Sequence, residues 1–310
     1  MARPPARFPC FAAKTDVRSN FAPVSPNSLV SVINMSTRAR WQSAGGGTSL
    51  IFLAAIGTWS HLASAEDRAA TAAAMCQPAV FATGSAGSII DGRTFTLDDG
   101  REVRLAGIEI PSADDLAAAG KQRLQMLVAG RDIVLKRLGA DRDRYGRLRA
   151  QVFLASTGGE SWVQAELVTS GHARVAAHVG DRACAAALIR HERAARAAKL
   201  GLWSDPYYAL RRADDPAAVA SERGRFTIVE GNVLSVRESG GTIYVNFGRR
   251  WSEDFTVTIA KRNERVFSAA SVEPKALAGR RVRVRGWIEE RGGPWLEATR
   301  PEQIELVERN

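Results

Sequence analysis

Between residues 79 and 110 apolar and polar positions alternate in short runs. One such run is Ser88-Ile89-Ile90-Asp91-Gly92-Arg93-Thr94-Phe95-Thr96-Leu97-Asp98-Asp99-Gly100. The pattern predicts short strands, with the two Asp-Gly steps as hairpin turns because Gly tolerates the positive φ they need. A helical period follows over 114–128, then strand patterns at 132–136 and 148–154 joined through 141–147. Helical stretches at 162–168 and 181–199 come next, and Gly201 is the expected C-cap of the second. Five strands with a helix between the third and fourth predict a β-rich α+β fold. Its first domain, residues 66–206, is expected to be an oligonucleotide/oligosaccharide-binding (OB) barrel, which closes its sheet edges by curling.

Residues 207–223 are polar and charged and read as a linker. Beyond it strands recur at 226–236, 242–247, 254–259, 281–288 and 295–298, with a helix-like 261–270 before the fourth. The same order of elements predicts a second, smaller OB-like β-barrel over residues 224–310.

Residues 1–65 lack this alternation. Met35 precedes Arg38 and Arg40, an apolar run over 50–62, and Ala63-Ser64-Ala65, a small-x-small cleavage signal. The expectation is a start at Met35, cleavage after Ala65, and an exported protein, periplasmic or secreted, with no membrane span in its mature form. The alternative is an uncleaved anchor, which the run is short for, since a spanning helix needs about 20 apolar residues.

Without that segment the formal charge of +10 shrinks to 37 basic against 32 acidic residues. That excess permits polyanionic partners without requiring them. Cys10 lies in the leader, which leaves Cys76 and Cys184. They form either a disulfide, suited to an exported chain, or two free buried thiols. The four histidines, at 61, 172, 178 and 191, have no metal-ligand spacing.

Three segments carry a family pattern. They are Ile90-Asp91-Gly92-Arg93-Thr94, Val103-Arg104-Leu105-Ala106-Gly107-Ile108-Glu109-Ile110-Pro111 and Asp143-Arg144-Tyr145-Gly146-Arg147-Leu148. Val168-Thr169-Ser170-Gly171-His172-Ala173-Arg174-Val175 and Leu200-Gly201-Leu202-Trp203-Ser204 extend it. In this order they resemble the staphylococcal nuclease (thermonuclease) family over roughly 120 residues. The resemblance implies a Ca²⁺-dependent phosphodiesterase acting on DNA and RNA. Its chemistry needs hard oxygen ligands for the cation, two guanidiniums on the phosphate and a carboxylate beside the attacking water.

Arg104 and Arg147 match the two guanidiniums, and Glu109 stands where the family has a ligating Asp. Tyr145 is a further binding candidate. Arg93 replaces the other ligating Asp. A unit charge about 4 Å from a divalent ion is worth on the order of 8 kcal/mol at an effective dielectric near 20, so this reversal opposes the ion. Ser112 stands at the catalytic Glu, and a hydroxyl is no general base at neutral pH. Ile110 replaces a Thr that ligates through its carbonyl. Ala176-Ala177-His178 stands where a Tyr holds the nucleotide, removing a stacking contribution of about 1–3 kcal/mol per base.

Asp91 is a weak substitute ligand. Asp114 and Asp115 fit better at a helix start, where acids favour the positive dipole end. Arg104 and Arg147 also have a structural reading, as ion-pair partners of Glu109, Asp141 or Asp143. In the second domain Arg281, Arg283 and Arg285 share one strand face. That face meets phosphates or anionic lipid, or pairs with acids such as Glu289, Glu290 or Glu297. Trp251, Trp287 and Trp295 read as core or rim aromatics.

Three functions follow. The favoured one is a catalytically impaired nuclease-like module with no cofactor, binding an anionic ligand such as nucleic acid, or a protein partner. The second is an active Ca²⁺-dependent nuclease with a rearranged metal site, and the third a structural envelope protein with no anion cleft.

Overall fold

Strand β1, Ala79–Asp91, is long enough to serve two neighbours. Its first half pairs antiparallel with β5, Asp132–Arg137, and its second half with β2, Thr94–Leu97. Register shifts between Val80 and Ala82, and again between Ala86 and Asp91, bend it around the core. Strand β2 pairs with β3, Glu102–Leu105. Strand β3 runs parallel to β6, Leu148–Leu154, which pairs with β5 and so closes a five-stranded barrel. The computed structural model describes residues 76–139, 142–155, 159–250 and 252–307. The expected leader, Asp141 and Trp251 lie outside them.

Phe95, Val103, Leu135 and Val152 fill the barrel with no solvent exposure. Helix α1, Asp114–Val128, plugs its end with Leu124, Leu127 and Val128, while Asp114 and Asp115 occupy the first turn. Helices α2, Val163–Thr169, and α3, Arg182–Ala197, pack on the same core. A disulfide joins Cys76, just ahead of β1, to Cys184 in α3.

The second barrel repeats the connectivity. Strand β10, Phe226–Asn232, continues as β11, Ser235–Ser239; β11 pairs with β12, Thr242–Asn246, and β12 with β13, Thr256–Ala260. Strand β13 is parallel to β16, Gly293–Glu297. The bent pair β14, Arg281–Trp287, and β15, Glu289–Arg291, returns to β10 and closes the ring. In both barrels the third strand lies parallel to the fifth and a helix sits between the third and fourth, the second time α5, Glu264–Ala269. Phe255 and Phe267 are fully buried in this second core.

Four details depart from the sequence reading. Residues 207–223 are folded: β9, Arg211–Arg212, adds a parallel strand to β10, and α4, Pro216–Ala220, buries Val219 in the second core. Their charges obscured this because Arg211 and Arg225 are drawn onto the buried carboxylate of Glu222, a satisfied ion pair rather than a solvated one.

The left-handed residue directly after the α3 cap is Lys199, at φ 52°, with Gly201 left-handed two residues further on, at φ 51°. Gly201 instead lets the chain touch Gly171, where an added Cβ would meet the Gly171 carbonyl oxygen at 2.3 Å. Gly92 has no positive φ; its Cβ position lies 3.3 Å from the Gly120 backbone, so that hairpin needs Gly for close approach to α1.

The Arg281–Arg285 face pairs with other acids than those expected. Arg281 and Arg283 meet Glu230, and Arg283 also meets Glu305. Arg285, 1% exposed, lies 2.8 Å from the fully buried Glu192 of α3 and donates to the Val175 carbonyl, while Glu192 accepts from the Val175 N–H. This buried pair joins the two barrels.

Candidate functional site

The β1–β2 turn is built on Asp91, whose carboxylate accepts from the Arg93 N–H at 2.8 Å and the Thr94 hydroxyl at 3.1 Å. Asp91 therefore shapes the turn from which Arg93 projects. The Arg93 guanidinium reaches Glu109 at 2.6 Å and the Ile108 carbonyl at 3.2 Å. Glu109 sits in β4, Ile108–Glu109, held beside Arg174 of the ribbon strand β8, Arg174–Val175.

A calcium ion takes roughly six to eight oxygens. The carboxylates here carry prior commitments, Glu109 to a guanidinium and Asp91 to its own turn. Among the described residues no three His, Cys, Asp or Glu side chains gather as a metal-binding group. The donor set does not fit the family's cation.

Arg104, on β3, stands across from Thr94 on β2 and in register with Arg149 on β6. Among the described residues its guanidinium makes no hydrogen bond or salt bridge, although Asp91 and Glu109 attract it at longer range. Burial, then the neighbouring Arg93 and Arg147 guanidiniums, push its pKa below the usual arginine value. Arg147 differs, since Asp143 binds it at 2.7 Å within one turn. Burial works against ionising Asp143, but the Arg147 side chain and the Tyr145 and Arg147 N–H groups hold its pKa below the ordinary carboxylate range. Tyr145 is 65% exposed, with the Arg144 and Arg147 guanidiniums 4.7 and 5.0 Å from its ring centre.

These groups line one cleft of about 580 Å³. Arg93, Arg104, Arg142, Arg144, Arg147 and Arg149 face it against only Glu109 and Asp143. Ala176, Ala177 and His178 form one wall. Ser112 is exposed and away from it, its N–H donating to the Tyr208 hydroxyl at 3.2 Å.

Sequence reasoning missed the far wall, Phe226 and Trp287 of the second barrel. Arg174 lies 4.5 Å from the Phe226 ring centre, and Phe226 meets Trp287 edge-on at 6.3 Å. Trp287 remains 57% exposed. No spacing signals this, because only the docking of the barrels brings the residues together. Arg149 was legible, two residues beyond Arg147 and just inside β6.

The first barrel is an OB barrel with an arginine-rich cleft against its third and fifth strands. Residues 102–205, from β3 through α3, match the family model described as a staphylococcal nuclease homologue. The match begins at β3, so Asp91 and Arg93 precede it. No curated protein matches the chain.

Proposed function

We propose that the chain is an exported, nuclease-type domain protein that holds a phosphate-bearing anion in the Arg104 cleft without calcium-dependent hydrolysis. The observation that carries this reading is Arg104. It is a half-buried guanidinium, crowded by two others and with no carboxylate partner, and a bound phosphate relieves that crowding. The Arg93–Glu109 pair supports the loss of the cation, because it puts a positive group on the carboxylate a calcium ion would need. The Cys76–Cys184 bridge supports export, since disulfides persist in oxidising compartments. Among the described residues no helix is long and apolar enough to cross a membrane. A purely structural role fits less well, because only Arg147 of the two key arginines is matched to an acid.

Calorimetry with Ca²⁺ tests the metal half of this reading. The natural chain gives no heat, whereas Arg93→Asp with Ser112→Glu restores hard oxygen ligands and gives a measurable signal. Digestion of plasmid and single-stranded DNA tests the other half. Robust Ca²⁺-dependent cleavage by the natural chain, lost in Arg147→Ala, would establish a working hydrolase and end this proposal.

A further inference from the structure

The second barrel carries a groove of about 960 Å³, larger than the arginine cleft and within the usual scale of ligand sites. It lies on the outer face of the sheet formed by β11, β12, β13, β16 and β15. Strand alternation sends the valines and isoleucines of these strands inward and leaves polar side chains on this face. Arg237, Tyr244, Thr258 and Glu297 are successive register partners across four strands, forming one row over the groove floor.

Three features set this row apart from an ordinary wet sheet face. Thr258 is 6% exposed, and its hydroxyl, without a hydrogen-bond partner among the described residues, opens onto the groove. Arg237 and Arg249 border the groove with no acidic partner among the described residues. Their neighbours do pair: Arg250 meets Glu253, and Lys261 meets Glu238 and Glu264. Finally, the Tyr244 ring is 37% exposed beside Arg237, while the groove's other large ring, Trp295, lies under Arg291 at 3.6 Å.

We propose that this face binds a short single-stranded nucleic-acid segment, with its phosphates on Arg237 and Arg249 and a base against Tyr244. Three arginines against one carboxylate, Glu297, make the groove complementary to an anion. An open ring next to guanidiniums suits stacked bases, which favours nucleic acid over an anionic glycan. The strand 2–3 face of an OB barrel is also where such barrels present their binding surface. The inference stands independently of the Arg104 cleft.

The test is fluorescence anisotropy with labelled oligothymidylate of about eight nucleotides, within the span one OB barrel covers. The full chain carries Arg104→Ala and Arg147→Ala, to remove the first barrel's grip. On this background Arg237→Ala with Arg249→Ala weakens binding about tenfold or more, and the slope of log affinity against log salt falls by between about one and two. Tyr244→Ala weakens thymidylate binding severalfold and leaves an abasic phosphodiester of equal length unchanged. All three positions are exposed, so unchanged melting curves confirm folding. Unaltered thymidylate binding in both groove variants would overturn the proposal. So would a sulfated oligosaccharide binding more tightly with the same dependence on Tyr244.

Discussion

Arg104 is the most consequential side chain of the first barrel because no carboxylate forms a salt bridge with it among the described residues, and Asp91 and Glu109 only partly offset the two guanidiniums beside it. Replacing it with Ala removes one charged hydrogen-bonding group from the cleft, and such groups contribute about 1.5–3 kcal/mol. Binding of inorganic pyrophosphate, followed by calorimetry, should fall about tenfold or more in Arg104→Ala, with an unfolding midpoint close to that of the natural chain. Asp143 gives the opposite kind of test, since its pKa is depressed in the folded state. A depressed carboxylate stabilises the fold above its unfolded pKa, and the contribution disappears as pH falls through the folded value. Thermal unfolding of the natural chain and Asp143→Asn should therefore differ at neutral pH and begin to draw together only as pH falls below the ordinary carboxylate range of about 4. The identities of Arg93, Arg104, Glu109 and Arg147 were legible in the sequence because each sits in a recognisable motif. Their pairing was not: a charge at the Arg93 position shows that a cation is opposed, but only the fold shows Glu109 as its counter-ion.

Among elements, boundaries set by alternation were the readable part. Helix α1 and strand β6 fall where the pattern put them, because their apolar positions face a single core. The segment 207–223 was unreadable for a physical reason, as its burial is organised around Glu222 rather than around an apolar stripe. The connection from α2 into β8 turns at Gly171, at φ 71°, where an added Cβ would meet the Leu200 carbonyl oxygen at 2.1 Å. Both the dihedral and the contact exclude a side chain. Gly171→Ala should lower unfolding free energy by on the order of 2 kcal/mol or more. Denaturant titration checks it, and an unchanged midpoint would mean that the Leu200 turn can shift at little cost.

At the scale of the whole molecule, the barrels meet through buried charge. Arg285→Ala would leave Glu192, a fully buried carboxylate, with only the more distant Arg196 at 3.7 Å as a cationic partner, and removing one partner of such a pair costs about 3–5 kcal/mol. Replacing both Arg285 and Glu192 with apolar residues of similar size should recover most of that loss. A double-mutant cycle by denaturant unfolding measures it, and additive losses would show that the two groups do not act together. The repeated barrel was inferable from strand order alone. The docking of one barrel on the other was not, and with it went the Phe226 and Trp287 wall.

The grip on Val175, its carbonyl held by Arg285 and its N–H by Glu192, carries a further implication for long ligands. Prying the barrels apart would take Arg285 from the Val175 carbonyl and from Glu192, so this contact holds the cleft and the groove at a set spacing, like marks on a ruler. A polyanion too short to bridge them gains nothing from the second mark. One just long enough meets it at high effective concentration. Across a ladder of oligothymidylate lengths, affinity should therefore jump at one threshold instead of climbing evenly, and an even climb would argue for two sites that never share a strand.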